Sequence, residues 1–142
     1  MTDPDRLRYL KLALRVVGAI AIFGIYPLTV LWPSGWVWHT GHSEYLEMIL
    51  AIYATLGVFL IIAANDPATH LSLVSFAIWS SIVHGAVMAV QALAHPEHLH
   101  HLYGDVPALF VIAAVLGNLA PNAARLRFTA PSALRDPPRA RR

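Results

Sequence analysis

Four long apolar runs, separated by proline, glycine or short polar clusters, dominate the chain. They cover about residues 9–32, 44–64, 68–93 and 103–120. Each is close to the ~20 residues a helix needs to cross about 30 Å of hydrocarbon. The breaks are Trp32-Pro33-Ser34-Gly35, Asn65-Asp66-Pro67, His95-Pro96-Glu97 and Pro121. Proline removes a backbone donor there, and glycine relaxes the chain. The pattern predicts an all-α protein, a four-transmembrane-helix bundle running up-down-up-down over residues 1–121. A basic, Pro/Arg-rich tail at 122–142 follows it. The first run is too long for a signal peptide and has no convincing cleavage site, so it is read as a span. Trp32, Trp36 and Trp38 follow it as an aromatic belt suited to the membrane interface.

Composition supports the same class. Hydrophobic residues make up 57% of the chain, charged residues 13%, and the mean hydropathy is +0.56. Soluble domains carry about 25% charged residues. The absence of cysteine excludes disulfides, thiolate metal sites, iron–sulfur ligation and a cysteine nucleophile. A net charge of +2 could suggest nucleic acid, but its distribution argues otherwise. Every Lys and Arg lies in the first 15 residues or from Arg125 onwards, and none occurs from Val16 to Ala124. A nucleic-acid surface would interleave basic and aromatic side chains along an exposed face. Basic residues confined to both ends instead predict an even number of spans with both termini cytoplasmic. The expected location is a bacterial inner membrane, with the tail lying on anionic lipid.

That topology puts the 33–43 and 94–102 loops on the outer face. Six of the eight histidines lie there: His39, His42, His95, His98, His100 and His101. His84 falls inside the third span, where Ser80, Ser81, His84, Met88, Gln91 and His95 form a polar stripe at helical spacing. A polar stripe should face the bundle, because acyl chains leave polar atoms unsatisfied. The second span opens with Ser43 as a cap and Glu44 and Glu47 in its first turn. Ala51, Ala54 and Thr55 continue the Glu47 face, and Asp105 opens the fourth span at the same level.

Glu47, His84, Asp105 and His101 are therefore candidate site residues, with His42 and Glu44 as further ones and the Tyr26 hydroxyl within range. Imidazole and carboxylate together suit a divalent transition metal such as zinc, iron, manganese or copper. The same groups can relay protons. Plainer roles stand beside these: Asp105 as the N-cap of the fourth span, Glu44 solvated at the interface, and His84 bonded to a neighbouring helix. Neither His-Glu-x-x-His nor paired Glu-x-x-His occurs, so the di-iron bundle pattern is missing. No serine sits in a nucleophile elbow, and haem would lack axial ligands at matched depth. No catalytic residue emerges.

The segment Phe23 to Ala54, with Tyr26-Pro27, Trp32-Pro33-Ser34-Gly35-Trp36-Val37-Trp38-His39 and Ser43-Glu44-Tyr45-Leu46-Glu47, resembles a family of small bacterial four-span proteins of unknown function. The likeness continues through His70-Leu71-Ser72-Leu73, Trp79 to Gln91, and Leu102-Tyr103-Gly104-Asp105-Val106-Pro107. It implies a membrane location and a four-helix architecture, but no activity and no site residue. More distantly the layout is similar to DoxX-like membrane proteins, some of which serve quinone-linked oxidoreductases; that likeness is at the level of fold. Three function classes follow. The first is a metal-binding or proton-handling site in the outer half of the bundle. The second is an accessory subunit of a larger membrane complex, and the third a small oligomeric transporter or channel. The lipid bilayer is the expected partner, with self-association or a larger complex beside it.

Overall fold

The computed structural model describes residues 3–39, 41 and 43–121; the 122–142 tail and His42 lie outside the described residues. The first span is α1 (Asp3–Ala19), a π-helical turn (Ile20–Gly24) and α2 (Ile25–Leu31). A short α3 (Pro33–Trp36) follows, then α4 (Glu44–Ala63) and α5 (Leu71–Ala94). The chain then forms a 3-10 segment (Pro96–Tyr103) and α6 (Asp105–Leu119). Four helical stretches are long and apolar enough to cross a membrane: Pro4–Leu31, Glu44–Ala63, Leu71–Ala94 and Pro96–Leu119.

Local chemistry sets the boundaries. The Ser43 hydroxyl accepts the Leu46 N–H at 3.3 Å, capping α4, with Glu44 and Glu47 at the positive end of its dipole. α5 stops at His95 before Pro96, and α6 at Ala120 before Pro121. The residue before proline is pushed out of helical geometry in both cases. Inside the first span, Pro27 cannot donate to the carbonyl four residues back, and its ring would crowd it. The widened π turn lies just upstream and loosens the helix there.

α1 packs against α4 and α6, and α5 packs closely on α6. The α4–α5 seam is the loosest between neighbours. Apolar side chains gain little by leaving lipid for a helix interface, so close approach through small residues matters more. Gly18 of α1 and Gly57 of α4 meet this way: a Cβ on either would lie 2.6 Å from the other's carbonyl oxygen. Gly85 of α5 leaves space for the Phe110 ring of α6, from which a Cβ at Gly85 would stand only 3.3 Å away.

The two halves of the bundle differ. At the termini end Leu10, Leu14, Leu60, Val74, Ile78, Leu116 and Ala120 form a solid buried cluster. Arg6 closes this end by donating to the carbonyls of Asn118 (2.6 Å), Ala120 (3.0 Å) and Leu119 (3.2 Å). A guanidinium there satisfies orphan carbonyls and complements the negative end of the α6 dipole. The opposite, histidine-bearing end is hollow.

Candidate functional site

A cavity of about 590 Å³, partly open to the surface, occupies the histidine-bearing half. Its walls come from the π turn and α2 (Ile20, Ala21, Leu28), α4 (Leu50, Tyr53), α5 (Ser81, His84, Met88) and α6 (Leu109, Ile112). They are overwhelmingly apolar. π-Helical turns recur at functional positions in helices, and this one lines the cavity directly.

A compact polar cluster sits at the head of the cavity. Asp105 is the first residue of α6 and is 8% exposed; His101, one turn earlier in the 3-10 segment, is 2% exposed. His101 Nδ1 lies 3.0 Å from Asp105 Oδ2. Trp38 Nε1 donates to that same oxygen at 3.0 Å. The Trp38 indole also stacks on the His101 ring, with centroids 4.0 Å apart and planes 23° apart, and its centroid is 4.9 Å from that of His98. Oδ2 is thus held by two groups, whereas Asp105 Oδ1 is buried with no hydrogen-bond partner among the described residues. The indole nitrogen of Trp36 is in the same condition, and both Trp36 and Asp105 line the cavity.

Backbone packing sets this arrangement. Gly104, between the 3-10 segment and α6, lies directly on Gly35 of α3: a Cβ at Gly104 would overlap the Gly35 carbonyl oxygen and stand 2.9 Å from its carbonyl carbon. That contact draws the 36–39 strip over the start of α6. A second cleft, lined by His98, His100, His101 and Glu97, lies beyond the strip. Trp38 borders both spaces, while His101 lines the cleft and Asp105 lines the cavity. The His101–Asp105 hydrogen bond therefore joins the two. Farther along the cavity the Tyr53 hydroxyl lies 3.2 Å from His84 Nδ1, a polar contact across the loose α4–α5 seam.

The model of a family of unknown function, DUF6632, matches residues 4–135. The chain belongs to that family. The DUF6632 match agrees with the resemblance read from the Tyr-Pro, Trp-Pro-Ser-Gly and Tyr-Gly-Asp-Val-Pro segments. Comparison with curated proteins and with solved structures finds no match.

In this DUF6632 chain, His101 and Asp105 lie in hydrogen-bond contact, and His84 lies against the Tyr53 hydroxyl. Glu44 and Glu47 are exposed and do not line the cavity. Ala51 and Thr55 are exposed too, and α4 instead presents Leu46, Leu50 and Tyr53 inwards. The Gly57–Gly18 contact fixes that rotation. Tyr26 is exposed. Among the described residues no three His, Asp or Glu side chains gather where a metal ion could be held. The capping role expected of Asp105 is not the one it plays: Gly104 is the N-cap position, no side chain caps α6, and Asp105 turns to Trp38 and His101. Of the six stripe residues on α5, Ser81, His84, Met88 and Gln91 line the cavity, whereas Ser80 and His95 do not, and Gln91 and His95 are exposed. Trp32 is 43% exposed, whereas Trp36 and Trp38 are only partly exposed and line the cavity. The available signal was the indole N–H, which demands a partner wherever the ring is covered.

Proposed function

We propose that this four-span protein binds a lipophilic small molecule in the cavity at its histidine-bearing end. The carrying observation is a buried carboxylate, one oxygen of which has no hydrogen-bond partner among the described residues, beside a mostly apolar space of about 590 Å³. Ligand sites are typically clefts of roughly 300–1,000 Å³ with mostly apolar walls and a few convergent polar groups. A bundle that needed only stability would fill this half as it fills the other. The loose α4–α5 seam supplies a lateral route from the bilayer. Confinement of every Lys and Arg to the chain ends supports cytoplasmic termini in a bacterial inner membrane, which puts the cavity in the outer half. Native mass spectrometry of protein released from mild detergent tests the reading. The expected result is one lipophile retained per chain, lost when Ala108→Phe fills the cavity of a protein that remains helical. An identical adduct pattern in the filled variant would refute it.

Proton handling is a second reading, supported by the position of the His101–Asp105 pair between the histidine-lined cleft and the cavity. An imidazole can donate at one ring nitrogen and accept at the other, which is what a relay needs. Proton uptake into liposomes holding the protein, driven by an imposed potential, should fall when His101→Gln is introduced; unaltered uptake in the variant would remove the reading.

A further inference from the structure

The apolar cavity and the histidine-lined cleft share a wall. Thr29, Val37, Trp38, His39 and Leu46 border both spaces. Thr29 and Leu46 belong to α2 and α4 and keep the positions those helices give them. Val37, Trp38 and His39 lie in the link between α3 and α4. The wall therefore has a fixed frame, with a panel of non-helical chain set into it.

Little holds that panel in place. The Val37 N–H donates to the Pro33 carbonyl at 2.8 Å, but neither Trp38 nor His39 makes a main-chain hydrogen bond to another described residue. Trp38 is tied through its side chain instead. Its Nε1 donates to Asp105 Oδ2 at 3.0 Å, and its ring lies 4.0 Å from that of His101 and 4.9 Å from that of His98, centroid to centroid. The Gly35–Gly104 contact anchors the chain just upstream, so the ring can turn aside without unseating α3. Segments that open locally are those with few backbone hydrogen bonds to break. Resting on the cavity as the binding site, we infer that Trp38 is a gate between the two spaces. While its hydrogen bond to Asp105 is made, it separates them. When that bond breaks and the ring turns aside, a ligand taken up from the bilayer reaches the polar cleft.

The chain has no cysteine, so Ser81→Cys places a single thiol on the cavity wall with almost no change of shape. The test follows labelling of that thiol in lipid nanodiscs by two reagents. N-ethylmaleimide crosses the bilayer, whereas the fixed charge of a trimethylammonium methanethiosulfonate keeps it in water. Trp38→Phe keeps a ring and removes the N–H; losing one hydrogen bond of about 1 kcal/mol should speed labelling by the charged reagent about fivefold. Trp38→Ala removes the gate and should speed it further. Labelling by N-ethylmaleimide should be the same with and without either substitution. Equal rates with the charged reagent in all three chains would overturn the gate and leave the cavity reading intact. A parallel rise with both reagents would also overturn it, because the bundle as a whole would then have loosened. No labelling by either reagent in any of the chains would overturn the cavity reading together with the gate.

Discussion

Replacing Gly104 by alanine adds one methyl group, and its effect can be worked from the contact with Gly35. The new Cβ would overlap the Gly35 carbonyl oxygen and lie 2.9 Å from both the carbonyl carbon and Cα of that residue. These are backbone atoms, so no side-chain rotation relieves the clash and the two segments must separate. Overpacking of this kind costs typically 1–3 kcal/mol. Separation also draws Trp38 away from Asp105, and a hydrogen bond to a charged group contributes about 1.5–3 kcal/mol. The expected loss is about 2.5–6 kcal/mol. Gly117→Ala, within α6, is the control. Its Cβ would find only Ile78 Cγ2 at 3.9 Å, an ordinary contact, so alanine's helix preference should stabilise it by up to about 1 kcal/mol. Unfolding by sodium dodecyl sulfate in mixed micelles, followed by far-UV circular dichroism, measures both. The variants should differ by about 4 kcal/mol, nearly a thousandfold in the folded-to-unfolded ratio. Gly104→Ala as stable as wild type would show that the Gly35–Gly104 contact does not hold the loop over α6.

Other substitutions probe the rest of the frame. Arg6→Gln removes the clamp on three α6 carbonyls and should cost roughly 1–2 kcal/mol in the same assay, with faster amide exchange confined to the last turn of α6. Gly18→Val and Gly57→Val should each destabilise by about 2–3 kcal/mol; the double variant should cost clearly less than their sum, because one separation of α1 from α4 accommodates both. Additive losses would mean that the two glycines do not share a contact. Tyr53→Phe should cost only about 0.6 kcal/mol, the usual scale of a hydrogen bond between membrane helices, and should shift the His84 ring signals in an NMR spectrum.

Much of the fold was legible because membrane insertion imposes simple rules. Length and hydropathy delimit spans, and the breaks at Trp32-Pro33, Asn65-Asp66-Pro67, His95-Pro96 and Pro121 mark their ends. The part of the α5 stripe that lines the cavity was legible for the same reason: Ser81, His84, Met88 and Gln91 recur at helical spacing in a helix whose other faces are apolar. The orientation of α4 was not. Its first turn carries acids for capping, and those same acids drew attention to a face that the Gly57–Gly18 contact turns outwards. Nor was the role of Trp38. Hydropathy treats a tryptophan near a span end as an interfacial anchor, whereas its indole N–H is committed to Asp105 by a backbone contact between glycines 69 positions apart in the chain. The span starting at Asp105 was anticipated, but the 3-10 geometry of Pro96–Tyr103 that carries His101 beneath Trp38 has no periodic signature in so short a segment.

The wide turn at Ile20–Gly24 gives the first span an unusual sensitivity to length. Each residue of an α-helix rotates the next by about 100°. The π turn already holds one residue more than an α turn, so inserting a further apolar residue there cannot be absorbed, although it would leave a plausible membrane segment with hydropathy almost unchanged. Everything beyond it would swing by that angle relative to Leu10 and Leu14, carrying Leu28 and Thr29 off the chamber wall. Such an insertion variant should still enter the membrane and still fold at its basic end, yet lose the shape of the chamber. In this segment the number of residues, as much as their kind, specifies the interior.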